Sequence, residues 1–353
     1  MTRRRGTTHL SAFRPTTHAG RVGSTVVALT VLAWLAFLLL PLNTVPSPVP
    51  RVSPTRHIRP IRTRRQRPTQ HVAISPTPSS VVPTPSTDVP TPSTTIPSES
   101  QTLFPNTRIV AYYGAPGGGS LGILGATDPQ TAWAGLTAQA AAYGQPGTVV
   151  EPAFELIAFV AQAAPGPDGL YTQELSVSTI GTYLSVIQAH HGMLILDIQP
   201  GRSSPLADAR LLAPFLANPN VELGLDPEWE VAAPSLPGQV IGSTTGAEIN
   251  TVATWLSQFV SSHNLPPKLL LVHEFTPTMV AQKASVTSPP GIQIVFNMDG
   301  FGSWAAKTSA YSMLASDPRF PLGIKLFYRQ DQPLEAPAAV LGLRPVPSVI
   351  EYQ

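Results

Sequence analysis

From residue 108 onward, short apolar runs alternate with stretches of helical pattern, and this rhythm admits few folds. The apolar, β-rich runs cover residues 108–113, 148–157, 193–198, 221–226, 269–273, 292–297, 323–328 and 348–352. Helical patterns fill 128–143, 178–190, 206–216 and 247–263 between them. Asp128-Pro129 marks one helix start, because the Asp side chain can accept from the first free amides and proline has no amide to leave unpaired. Strands that stay apolar along their length need cover on both faces, which calls for a parallel sheet with helices packed on it. Eight of them within residues 107–353 predict an α/β fold, a (β/α)8 TIM-type barrel, in preference to an open doubly wound sheet.

The N-terminal part is of a different kind. Residues 1–106 carry 12 Arg, no Lys and only Asp88 and Glu99, a net charge of +10. Residues 107–353 carry 10 Lys and Arg against 18 Asp and Glu, a net charge of −8. The formal +2 of the whole chain therefore hides an acidic domain, and nucleic acid is not an expected partner. Residues 26–42 form an uncharged apolar run, long enough at about 17 residues to span a membrane and longer than the roughly 7–15 of a signal-peptide core. No small-x-small cleavage site follows before Pro46, so an uncleaved single-pass anchor is expected, with residues 1–25 as a basic cytoplasmic tail. Arginines flank the run on both sides and do not set its direction; a proline spacer has its purpose outside the cell membrane, which places the barrel there. Residues 41–106 hold 15 prolines among many Ser and Thr. Such a composition cannot bury a core, so residues 43–106 are expected to be a disordered, semi-rigid stalk. The chain has no cysteine, which excludes disulfides, thiolate metal sites and Cys nucleophiles.

In a barrel of this type chemistry sits at the C-terminal ends of the strands. Those ends present Tyr113, Glu155, Asp197 with Gln199, Asp226 with Glu228, His273, Asn297 with Asp299, and Lys325. Side chains alternate along a strand, so each of the three spaced pairs shares a face while Leu196, Ile198, Leu225, Phe296 and Met298 take the other. A buried ring of carboxylates with one lysine needs a partner, a metal, water or a shared proton. Glycoside hydrolysis uses this situation: one carboxylic acid protonates the leaving oxygen, and a second carboxylate serves as nucleophile or base. Asp197, Asp226, Glu228 and Asp299 are the candidate catalytic groups. Tyr113, Glu155, Gln199, His273, Asn297 and Lys325 are candidate substrate-binding residues, with Trp229 and Trp304 as platforms for a sugar ring. The GGGSLG run at residues 117–122 matches both GxGxxG and GxSxG, but no helix opens directly behind it and a flexible loop is expected. No cofactor and no resident metal are expected.

Leu225-Asp226-Pro227-Glu228-Trp229-Glu230 resembles the fourth-strand signature of family-18 chitinases, D-x-x-D-x-D-x-E, and Asn297-Met298-Asp299 is similar to that family's Met-x-Tyr-Asp region. The resemblance implies Glu230 as the acid, with Glu228 and Asp226 as supporting carboxylates and Asp299 on the family's Asp. Leu223 stands where the first Asp of the signature belongs, and Pro227 interrupts it. Residues 196–202, 225–229 and 272–275 together resemble a group of uncharacterised exported bacterial barrel proteins, which implies the fold and an extracytoplasmic location but no activity. A cell-wall or environmental glycan is the expected partner, with the membrane reached through residues 26–42. Two alternatives stand beside this: a metal-dependent hydrolase built on the Asp/Glu/His273 cluster, although no HxH or HExxH spacing occurs, and a non-catalytic wall-binding barrel.

Overall fold

The computed structural model describes residues 102–353; the expected cytoplasmic tail, the anchor and nearly all of the stalk lie outside them. Among the described residues no helix is long and apolar enough to cross a membrane. Eight parallel strands form the domain: β1 Thr107–Gly114, β2 Val149–Ala161, β3 Met193–Ile198, β4 Val221–Leu225, β5 Lys268–Glu274, β6 Ile292–Met298, β7 Leu322–Leu326 and β8 Val349–Tyr352. Each pairs with its sequence neighbours, and β1 pairs with both β2 and β8, so the sheet closes on itself as expected. Registers such as Ile109↔Val349, Leu194↔Val221 and Leu270↔Ile294 fix which side chains share a layer.

Alternation then sorts every strand into two faces. The outer faces carry Val110, Phe154, Leu196, Leu223, Val272, Phe296, Ile324 and Ile350, which pack with the helices into one large core. The inner faces of the lower barrel carry Ile109, Ala111, Ala153, Met193, Ile195, Leu269, Leu271, Val295 and Val349. Phe104 joins that inner cluster, and the Leu103 amide donates to Gln293 Oε1 at 2.6 Å. The packing of the barrel therefore begins ahead of residue 107, inside the stretch whose proline content reads as spacer. Full burial of one such Leu or Phe side chain contributes roughly 1.5–3 kcal/mol, so this plug ties the entering chain to the barrel floor.

Three helices follow their sequence signals closely. α1 spans Pro129–Ala141 and Asp128 caps it, accepting from the amides of Gln130 and Thr131. α2 spans Val177–His190 behind a Ser176 cap, and Gly246–Ser262 forms a long helix behind Thr245. The helix expected over 206–216 is split into Pro205–Leu211 and Ala213–Leu216, with Pro214 at the start of the second piece, where its missing amide costs nothing. Helices at Trp304–Leu314 and Pro337–Leu341 complete the wrapping. β2 runs beyond its expected end, past an irregularity between Ile157 and Phe159, and carries a short antiparallel strand, Thr172–Glu174.

Candidate functional site

The inner face changes character at its C-terminal end. Above the apolar layers, Tyr113, Glu155, Asp197, His273, Asn297, Lys325 and Glu351 point inward from seven strands, and Asp226, Glu228, Gln199 and Asp299 follow from the turns just beyond. All of them are buried, with Glu228 the most exposed of the six carboxyl groups at 6%. Ten residues expected at the mouth are thus in one cluster: Tyr113, Glu155, Asp197, Gln199, Asp226, Glu228, His273, Asn297, Asp299 and Lys325.

Two hydrogen-bonded chains organise the ring. In the first, the Gln199 carbonyl oxygen Oε1 accepts from the Ala161 amide at 3.1 Å, which turns Nε2 toward the Tyr113 hydroxyl at 3.0 Å. Tyr113 in turn donates to Asp226 Oδ2 at 3.0 Å, with Asp197 Oδ2 at 3.4 Å. In the second, His273 lies between Glu155 Oε1, 2.9 Å from Nε2, and Asp299 Oδ2, 2.9 Å from Nδ1. Lys325 Nζ donates to the same Asp299 oxygen at 3.0 Å, lies 3.6 Å from Glu351 Oε2, and sits 3.5 Å above the Tyr113 ring. Asn297 Nδ2 completes this side by donating to Glu351 Oε2 at 2.7 Å.

Backbone features make room for these groups. A Cβ on Gly224 would lie 2.9 Å from Asp197 Oδ1, and one on Gly323 would lie 2.3 Å from Asn297 Oδ1. Both glycines sit inside strands, where they weaken local structure and mark a close approach. Glu228 sits in a 3-10 turn, Pro227–Trp229, and the Gly242 amide donates to its carbonyl at 2.6 Å. Only glycine fits at 242, because a Cβ there would meet the carbonyl oxygens of Pro227, Glu228 and Glu230 at 2.3–2.6 Å.

Six carboxyl groups share the mouth with two basic ones, and the imbalance is divided unequally. Burial, with Asp226 nearby, pushes Glu228 well above the ordinary carboxylate range. Burial and Asp226 do the same to Asp197. Asp226 is also raised by burial, with His273 and Lys325 opposing. Asp299 goes the other way: burial favours its neutral form, but Lys325 and His273 overcome it and hold the carboxyl below its usual value. Each of the six groups keeps one oxygen with no hydrogen-bond partner among the described residues: Glu155 Oε2, Asp197 Oδ1, Asp226 Oδ1, Glu228 Oε2, Asp299 Oδ1 and Glu351 Oε1. Buried polar atoms of native proteins are nearly always paired with protein or ordered water, so six such oxygens turned into one ring can accept hydrogen bonds from water or a ligand.

No family model matches the sequence, and no curated protein matches it. Among solved structures, the chain is similar to a ruminal GH26 endo-beta-1,4-mannanase at 8% identity and a TM-score of 0.37, over 69% of this chain. The match spans 58% of the mannanase chain. The likeness to family-18 chitinases has no counterpart in these findings.

Two expected residues are placed away from the ring. Glu230 follows the 3-10 turn, and burial together with a hydrogen bond to Glu248 raises it to about 9. Trp304 opens its helix and packs against the outer core. Trp229 stays beside Glu228 on the turn at the rim, half-buried. Glu351 is the member that the strand-end reading passes over. It lies on the inner face two residues after Val349, and that parity is its only signal in the sequence.

Glu155, Asp197 and His273 each bring one ligand atom within 4.8 Å of the others, and so do Asp226, His273 and Asp299. The donor set fits a cation poorly. Both His273 nitrogens already face carboxylate oxygens at 2.9 Å, and Lys325 Nζ stands 3.2 Å from Nδ1, where it would repel a metal.

Proposed function

We propose that the mouth of the barrel is a glycoside-hydrolysing centre in which Glu228 donates the proton and Asp299 is its ionised partner. One observation carries this reading: two carboxyl groups in mutual electrostatic reach are pushed in opposite directions, Glu228 upward by burial and Asp226, Asp299 downward by Lys325 and His273. Glycosidic cleavage needs that division. Glu228 would pass its proton to the glycosidic oxygen as the bond to the anomeric carbon breaks. Asp299 would supply the second half, either attacking that carbon or taking a proton from the attacking water, and the anomeric configuration of the product tells which. Asp226, fixed by Tyr113 and Gln199, would hold a sugar hydroxyl beside Glu228. The unpaired oxygens around the ring accept hydrogen bonds and repel anions, which supports a neutral glycan rather than a uronate or phosphate polymer as substrate.

The sequence ahead of the barrel supports a setting for this chemistry. An uncharged run at residues 26–42 and a proline-rich spacer would present the domain outside the cell membrane, within reach of wall or environmental glycan.

The test is release of reducing ends from neutral cell-wall and plant polysaccharides, with product configuration read by NMR. Glu228→Gln should lower kcat by roughly 10²–10⁴ with no loss of folding, since it replaces a neutral acid by a neutral amide. If Glu228→Gln and Asp299→Asn turn over as fast as the parent, or the parent cleaves none of the panel, the reading fails.

A further inference from the structure

We propose that His273 is a positioning residue that remains an imidazolium, clamped between Glu155 and Asp299 so as to hold the Asp299 carboxylate against Lys325. This rests on the assignment of Asp299 as the ionised partner, but its geometry stands apart from any substrate. Asp299 Oδ2 accepts twice, from Lys325 Nζ at 3.0 Å and from His273 Nδ1 at 2.9 Å. A neutral ring protonated on Nε2 would turn the Nδ1 lone pair onto that oxygen. A neutral ring protonated on Nδ1 would turn the Nε2 lone pair onto Glu155 Oε1, also at 2.9 Å. With both facing oxygens as acceptors, only the doubly protonated ring makes both contacts hydrogen bonds.

Lys325 Nζ, 3.2 Å from Nδ1, opposes the charge, and the other surroundings favour it. The ring faces Tyr113 from β1, at 5.9 Å between centroids, and Glu351 Oε1 from β8, 3.9 Å from Nε2. Asp197 and Asp226 approach from β3 and the end of β4, and Glu228 belongs to the same electrostatic cluster. Burial and Lys325 work against the charge, but Asp299, Glu155 and Asp226 outweigh them and raise His273 well above the ordinary imidazole range. With Oδ2 fixed by two cations, Oδ1 is the atom of Asp299 left for a reacting group. His273 would thus act through Asp299 rather than on substrate, setting its charge and its orientation together.

Ring-nitrogen NMR of the full chain tests this without a substrate. One of the eight histidines should keep both nitrogens protonated at a pH where ordinary histidines, with a value of about 6.5, have titrated. Its signals should be absent in His273→Gln and should titrate about one unit lower or more in Glu155→Gln, which preserves shape and removes charge. A ring that titrates like the others, or one that is neutral and accepts a proton from Glu155, overturns the proposal. An inert protein with a charged His273 would sink the hydrolase reading alone, and an active one with a neutral His273 would sink this inference alone. In the active enzyme, His273→Gln should move the acid limb of the pH–rate profile upward, because Asp299 loses a neighbouring cation, and move the limb of Glu228 the same way by less, since His273 is a lesser influence there. A uniform loss of rate with an unmoved profile would mean a purely structural role.

Discussion

Among the charged residues that the domain buries, two groups lie at opposite ends of the barrel and are built on opposite terms. At the lower end Lys268 donates to the carbonyls of Asn218 and Val221 at 3.0 and 2.6 Å, and Glu222 accepts from the Leu269 amide at 2.6 Å. One acid meets one base, and neither is left with an unpaired buried atom. At the upper end six carboxyl groups meet Lys325 and His273, and every carboxyl keeps an oxygen without a partner. The lower pair is an anchor that satisfies itself through backbone. The upper ring, at the C-terminal ends of the strands, is held by its own side chains and keeps carboxyl oxygens turned into one space.

The sharpest way to break this contrast is to remove the cation from each end. Lys325→Met strips Asp299 of its main partner inside a buried acidic ring and should cost about 3–5 kcal/mol. Lys268→Met should cost less, about 1–3 kcal/mol, because burial already holds Glu222 near 7 and it can take up a proton. Urea denaturation of both variants at neutral pH measures the two costs. A larger loss at Lys268 would mean that the lower end, and not the ring, carries the electrostatic load.

A smaller effect is expected where the ring presses on backbone. Gly323→Ala would drive a methyl into Asn297 Oδ1 and release Glu351 from its amide donor, at a cost of roughly 1–3 kcal/mol, with Gly224→Ala doing the same to Asp197. Melting curves of both should fall below the parent; a Gly323→Ala protein as stable as the parent would show that the Asn297–Glu351 contact is not fixed by packing. These glycines also show what a sequence conceals. Alternation places Asp197, Asn297 and Lys325 inside the barrel, and so the mouth was legible strand by strand. Which glycine faces which polar group depends on inter-strand register, as in Gly323↔Asn297, and no local pattern encodes it. Glu230 and Trp304 were drawn to the site by motif likeness and by nearness in sequence. A turn after β4 and a helix start after β6 carry them elsewhere. Phe104 was concealed by its proline-rich neighbours, since composition averages over the residue that plugs the floor.

The finest test asks whether the neutral members of the ring are neutral. Asp197 is fully buried and raised far above its ordinary value, so the folded chain retains a proton there that the unfolded chain gives up near pH 4. The folded state binds more protons, and stability is therefore greatest below that pH and falls as pH rises toward the folded value. Glu228 and His273, also raised, act in the same direction, His273 from about pH 6.5 upward. Asp299, held down by its cations, contributes the opposite term, lost only as pH falls below about 4. The raised groups should accordingly weaken the fold as pH rises above about 4. Asp197→Asn replaces a protonated acid by an amide of the same shape and should change stability by about 1 kcal/mol or less at pH 5. Its effect should appear in the slope, because one proton-releasing group has gone and the loss on raising the pH becomes shallower. Denaturation midpoints of parent and variant at several pH values separate the two cases: parallel curves would mean that Asp197 is ionised in the fold, and the ring would then need a cation that its own residues do not supply.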